Sequence, residues 1–189
     1  MIEDTFPLIE TDRLVLRQVT KEDAEDILKY LSDKNVMKHY GMEPFKSLDD
    51  ALDEIFWYQS IFEKNTGIRW GITLKGQERV IGSCGFFNID PQHYRSEIGF
   101  ELSKDFWGQG IASEAFEFVI KYGFEQLNLQ RIQALIEPPN ISSQKLVERK
   151  GFIKEGLLRN YEFTCGKFDD LFMYSLLKQD FDNQQYLRK

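Results

Sequence analysis

Residues 96–136, SEIGFELSKDFWGQGIASEAFEFVIKYGFEQLNLQRIQALI, change periodicity twice, and that change decides the fold. Ser96 to Leu102 alternates polar and apolar residues, the mark of a strand with one buried face. From Ala112 to Gln126 the apolar residues fall at 115, 116, 119, 120, 123 and 124, a helical period, and Arg131 to Ile136 alternates again. Strand, helix and strand in that order imply a parallel crossover, with the helix covering one face of the sheet. Between the first strand and the helix lie Trp107, Gly108, Gln109, Gly110, Ile111, Ala112 and Ser113. Paired glycines there let backbone N–H groups approach an anion at the positive end of the helix, a cradle suited to a phosphate or pyrophosphate. The loop is neither of two common nucleotide loops. Ser113 stands where a dinucleotide fingerprint needs its third glycine, and no glycine-rich loop ends in Gly-Lys-Ser/Thr.

Upstream, Arg13 to Gln18 reads as a first strand, Thr20 caps a helix from Lys21 to about Leu31, and residues 33–46 form a loop containing Gly41 and Pro44. Ser47 caps a second helix from Leu48 to about Glu63. Arg69 to Leu74 and Val80 to Ile89 then make an antiparallel hairpin about a turn at 75–78. Downstream, Pro138-Pro139-Asn140 stops the chain, Ser142 to Arg149 is a short helix ended by Gly151, and a hairpin of Ile153 to Glu162 and Asp170 to Leu177, connected through 164–168, closes it.

The 189 residues fit one domain, 1–189, with no repeat, low-complexity tract or linker. Hydrophobic content of 42% with 14% aromatics supplies a core, which excludes disorder, collagen and coiled coil. A net charge of −7 argues against a nucleic-acid partner, and no apolar run approaches the ~20 residues of a membrane span. The N-terminus lacks the cationic start and apolar stretch of a secretory signal, so the expected compartment is the cytoplasm. Cys84 and Cys165 are expected to be reduced. His39 and His93 read as isolated surface residues, and without a ligand cluster no metal site is expected.

The run EIGFELSKDFWGQGIASEA, followed by a helix and RIQALIEPPNISSQKLVERKGF, resembles the GCN5-related N-acetyltransferase (GNAT) superfamily, and within it the branch of ribosomal-protein N-terminal acetyltransferases. The resemblance runs from TDRLVLRQ at Thr11 to the closing DDLFMYSLLKQDF. It departs from the superfamily signature at Trp107, which stands where Gln or Arg is usual, although Trp-Gly-x-Gly is familiar in the branch. It implies an α/β (α+β) GNAT fold: a mixed, largely antiparallel central sheet, splayed near Leu102 and the Arg131 strand to admit a cofactor, with helices on both faces. It also implies acetyl-CoA as co-substrate, direct attack by an amine in a ternary complex, and an acceptor that is the α-amine of a protein. A homodimer is compatible with it. The alternatives are a small amine acceptor, such as a polyamine, antibiotic or amino acid, and a non-catalytic acyl-CoA-binding module.

Under this resemblance the N–H groups from Trp107 to Ala112 and the Ser113 hydroxyl bind the pyrophosphate. Phe100, Glu101 and Leu102 pair with the amide-bearing arm, Asn140 bonds that arm from the other side, and Lys145 or Arg149 meets the remaining phosphate. Glu162 and Glu97 are the alternative bases. The usual acid position, four residues before Gly151-Phe152, holds Val147, which leaves Ser143 as the candidate proton donor. Met42-Glu43-Pro44-Phe45 with Asp49, Asp50, Asp53, Glu54, Trp57 and Tyr58 would form the acceptor groove, against the plainer reading of an amphipathic helix with a solvated acidic face.

Overall fold

The computed structural model describes residues 5–187. Eight strands form one sheet in the order β1-β2-β3-β4-β5-β6-β8-β7. They are β1 (Ile9–Glu10), β2 (Leu14–Arg17), β3 (Ile68–Leu74), β4 (Gly82–Asp90), β5 (Arg95–Leu102), β6 (Arg131–Ile136), β7 (Ile153–Thr164) and β8 (Lys167–Leu177). The helices are α1 (Ala24–Leu31), α2 (Lys34–Met37), α3 (Leu48–Glu63), α4 (Ile111–Glu125), α5 (Ile141–Arg149) and α6 (Lys178–Leu187). All pairings are antiparallel except β5 with β6, the crossover spanned by α4.

Strand parity sorts the two faces. Trp70, Ile72, Cys84, Phe86 and Ile98 point to one side, where α4 buries Ala115, Phe116, Val119, Ile120 and Phe124 against them. Arg69, Gly71 and Ser83 point to the other, where Val19 and Val80 join α1 and α3 in a second apolar cluster. Gly123 is small of necessity, since a Cβ there would lie 2.5 Å from the Phe86 ring.

The expected elements form, with adjusted ends. Thr20 and Asp23 make a capping box, so the chain enters α1 through a 3₁₀ turn at Lys21–Asp23. Ser47 and Asp50 do the same for α3. Val80 and Ile81 precede β4, where a strand was expected, and α5 starts at Ile141, with Asn140 as its cap. The segment expected to be loop at 33–46 contains the single turn α2, capped by Asp33. The closing hairpin is longer than its sequence suggests: its turn is only Cys165-Gly166, at φ +48° and +80°, and Phe163 and Phe168 pair across it with ring centroids 4.9 Å apart.

The sheet opens where it was expected to, beside Leu102 and between β5 and β6, the strand that begins at Arg131. Arg131, Ile132 and Gln133 pair with Arg95, Ser96 and Glu97, and the strands separate only beyond that point. The β6 edge of Ile98 to Leu102 is thereby left without a strand, while β6 stays fully paired to β8.

Candidate active site

At the mouth of this opening lies a cavity of about 820 Å³. Its walls come from the loop after α2, from α3, from the diverging ends of β5 and β6, from the start of α5 and from the closing hairpin. Glu97, Ser143 and Glu162, separated by up to 65 positions in the chain, all line it, as do Phe100, Asn140 and Val147. Glu162 stands opposite Asp169 in the hairpin. Lost hydration against the wall, and then the negative charges of Glu97, Asp169 and Glu137, raise its carboxyl above the usual glutamate range. Glu97 accepts from the amides of Asn88 at 3.2 Å and Gln133 at 3.5 Å. One cavity thus holds a carboxylate raised by burial and by its neighbours and, on the first turn of α5, the hydroxyl-bearing Ser143.

The structure narrows how three of the expected cofactor residues could serve. Asn140 does not offer its whole side chain to a cofactor arm. Its Oδ1 caps α5, accepting from the Ser143 N–H at 3.2 Å and the Ser142 hydroxyl at 3.0 Å, so only its amide hydrogens can serve the arm. Leu102 likewise has its carbonyl engaged, by the Trp107 indole N–H at 2.8 Å. The Glu101 side chain turns away from the opening. It is buried in an ion pair with Arg69, and Tyr58 at 3.3 Å, Tyr30 at 3.5 Å and Ser83 also donate to it. Of this residue only the backbone is left to face the opening.

The wall expected to be the acceptor groove is also sharper than the sequence suggests. Met42, Glu43, Pro44, Phe45, Asp50, Asp53, Glu54 and Trp57 line the cavity, whereas Asp49 and Tyr58 do not. Glu54 is no solvated helix residue: it is 7% exposed, takes the Tyr40 hydroxyl at 2.9 Å, and is pushed up by burial and the charge of Glu101. His39, expected on the surface, lines the same cavity and pairs through Nδ1 with Glu137 at 2.7 Å, tying the loop after α2 to the end of β6. No spacing rule links residues 98 positions apart, and the acidic Glu137 beside Pro138-Pro139 was the one local hint.

The loop from Trp107 to Ser113 lies outside this cavity, joined to it through β5, whose Phe100 lines the cavity and whose Leu102 holds Trp107. Gly108 and Gly110 adopt φ +73° and +77°, and Gly110 is the N-cap of α4. With no side chain at the cap, the first-turn N–H groups of Ile111, Ala112 and Ser113 keep their outward donors for an anion. The loop is braced by the Gln109 amide on the Asp105 carbonyl at 3.0 Å. Arg149 and Lys145 are exposed on α5 and do not line the cavity. A cradle of bare N–H groups continuing into an unpaired strand edge fits a pyrophosphate carrying an amide-bearing arm. Among the described residues no cluster of His, Cys, Asp or Glu would hold a metal, and no helix is long and apolar enough to cross a membrane.

Comparison with known proteins agrees with this geometry. Residues 13–153 match the model of the acetyltransferase (GNAT) domain. The uncharacterized N-acetyltransferase p20 of Bacillus licheniformis is 43% identical over 171 residues, covering 90% of this chain and 96% of its own. The uncharacterized N-acetyltransferase YoaA of Bacillus subtilis is 40% identical over 173 residues, covering 92% and 98%. The structure of spermidine N-acetyltransferase from Vibrio cholerae, solved with CoA and spermine, superposes with a TM-score of 0.78 at 25% identity, over 92% of this chain and all of that one. With its split sheet, glycine cradle and these relatives, the chain belongs to the GNAT family and is an N-acetyltransferase that uses acetyl-CoA.

Proposed function

We propose that the acceptor is the α-amine of a protein N-terminus and that Glu162 is the base and Ser143 the acid of a direct transfer in a ternary complex. The observation that carries this reading is the convergence of Glu162, Glu97 and Ser143 on one cavity at the end of the open strand edge. Acetyl-CoA supplies the activated acetyl thioester. Glu162 takes the proton that the acceptor amine must shed before it can attack, and its raised carboxyl makes it a better base at neutral pH than an ordinary glutamate. Ser143 relays a proton to the departing sulfur, giving up its hydroxyl proton as it takes one from water, while the N–H groups of β5 polarise the carbonyl. Neither cysteine competes as a nucleophile: Cys84 is buried, its thiol pushed up to about 12 by that burial, and Cys165 is at the hairpin turn.

An α-amine has a pKa of ~7.7 to 8.0 and a lysine amine ~10.4, so freeing the latter at pH 7 costs about 4 to 5 kcal/mol against roughly 1 for the former. Carboxylate bases therefore favour the α-amine. The ribosomal-protein-serine acetyltransferase of Escherichia coli, 32% identical over 99 residues and aligned over 52% of this chain and 55% of its own, supports the same choice. A second reading, a polyamine acceptor, is favoured by the acidity of the cavity, where Asp53, Glu54, Glu97, Glu137, Glu162 and Asp169 gather. Thiol release measured over a panel of peptides and amines decides between them. Peptides with free N-termini should exceed N-terminally blocked, Lys-containing peptides of the same sequence in kcat/KM, and exceed spermidine. Equal or better turnover of the blocked peptide or of spermidine overturns the N-terminal acceptor.

A further inference from the structure

Arg13 immediately precedes β2, 97 positions before the Gly110 cap, yet it packs against the cradle. Its Nε donates to Glu114 Oε2 at 2.7 Å, its Nη2 lies 2.6 Å from the same oxygen, and its Nη1 donates to the Gln109 carbonyl at 3.0 Å. The other carboxylate oxygen of Glu114 takes the Thr11 hydroxyl at 2.5 Å and the Arg13 backbone N–H at 3.2 Å. Glu114 is thus held on both oxygens by residues from one short N-terminal segment.

The position of Glu114 makes this arrangement consequential. It is the acidic residue of the first turn of α4, where a carboxylate is favoured by the helix dipole and competes with any other anion for the same N–H groups. Burial works against its ionisation, but the hydrogen bonds from Thr11 and Arg13 outweigh that and hold the carboxyl below its usual range, so it is charged whenever the protein works. An unopposed negative charge there would repel a pyrophosphate at the adjoining cap.

We propose that Arg13 is a positioning residue for the cofactor: it neutralises Glu114 and draws it off the first turn of α4, leaving the N–H groups of that turn for the pyrophosphate. By holding the Gln109 carbonyl it also keeps that oxygen from facing the anion. This inference rests on the reading of residues 107–113 as the pyrophosphate cradle.

The test is calorimetric titration of CoA into the wild type and four variants, each checked for folding by circular dichroism. Arg13→Ala should weaken CoA binding roughly tenfold, the scale of one partly exposed charge at a helix end. Glu114→Gln alone should stay within about threefold of wild type, and Arg13→Ala/Glu114→Gln should recover at least about threefold of the loss. In turnover, Arg13→Ala should raise KM for acetyl-CoA while kcat and the acceptor KM hold. Wild-type affinity in a folded Arg13→Ala, or no recovery in the double variant, overturns the proposal. If Arg13→Ala fails to fold, Arg13→Lys takes its place, with retention of affinity within about threefold expected and a full tenfold loss counting against the charge account. Gly110→Val separates this from the underlying reading. If it binds CoA at unchanged affinity, the cradle itself is misassigned; if it loses binding while Arg13→Ala does not, only the role of Arg13 falls.

Discussion

Glu162 and Asp169 face each other across the closing hairpin, and Glu97 and Glu137 add their charge to the same cavity. If Glu162 is the base, its protonation stops turnover, and because its carboxyl is raised this happens at higher pH than the ~4.3 of an ordinary glutamate. The acidic limb of kcat/KM should therefore lie above that value in the wild type and flatten in Glu162→Gln. That variant should lose ~100- to 10,000-fold in single-turnover rate with little change in KM for acetyl-CoA, and Ser143→Ala should lose rate in the same way. Near-full rates in both would transfer the role of base to Glu97. Stability follows the same sign: a carboxyl raised on folding favours the folded state at low pH and opposes it once pH rises through the raised value, so Glu162→Gln should melt no lower than wild type at pH 8. Single residues were the least legible part of the sequence. Glu162 and Ser143 stood out only through the family resemblance, and His39 and Glu137 meet through tertiary folding that no local pattern encodes.

At the scale of elements, β3, β4, β5 and α3 are pinned together by one buried polar knot. Arg69 of β3 pairs with Glu101 of β5 and donates from Nε to Ser83 of β4 at 2.6 Å, while Tyr58 of α3 donates to Glu101. Both charged side chains are 3% exposed, so removing one strands the other without water. Glu101→Ala should cost about 3 to 5 kcal/mol in urea denaturation, and Arg69→Met/Glu101→Leu far less, since no lone charge remains. A single variant as stable as wild type would refute this. Elements whose signals are local were readable: the alternation of β5 and β6, the apolar stripe of α4, the caps of α1 and α3. Those that were not readable depend on distant partners. β1 exists only by pairing with β2, and the far end of the closing hairpin is held by the Phe163–Phe168 contact and the Thr164 hydroxyl on Asp169 at 2.6 Å. The buried knot was hidden for the same reason, because Glu101 reads as one more polar residue of an alternating strand.

For the whole molecule, the described sheet parts between β5 and β6 beyond Glu97 and Gln133, while β4–β5 and β7–β8 carry local irregularities of register. The opening and the two strands that flank it were legible as a consequence of family, whereas the point at which they part, beyond Glu97 and Gln133, has no local signal in either strand. If the cofactor arm takes the place of the missing strand, amide hydrogens of Gly99 to Leu102 that lack a β4 partner should exchange quickly in the free protein and slowly with CoA bound, as read by hydrogen-exchange mass spectrometry. Saturation at 100 times Kd should also add about 2.7 kcal/mol of stability. Unchanged exchange across this strand would place the arm elsewhere. The seam has a mechanical side as well. Five strands lie to one side and three to the other, joined within the sheet by three residue pairs near one end. Behind that short joint the two half-sheets share one apolar core, in which α4 packs against both, so the seam can widen only as far as that core allows. Glu97 and Glu162 stand on strands from opposite sides of the seam, so its width would set the spacing between their carboxylates.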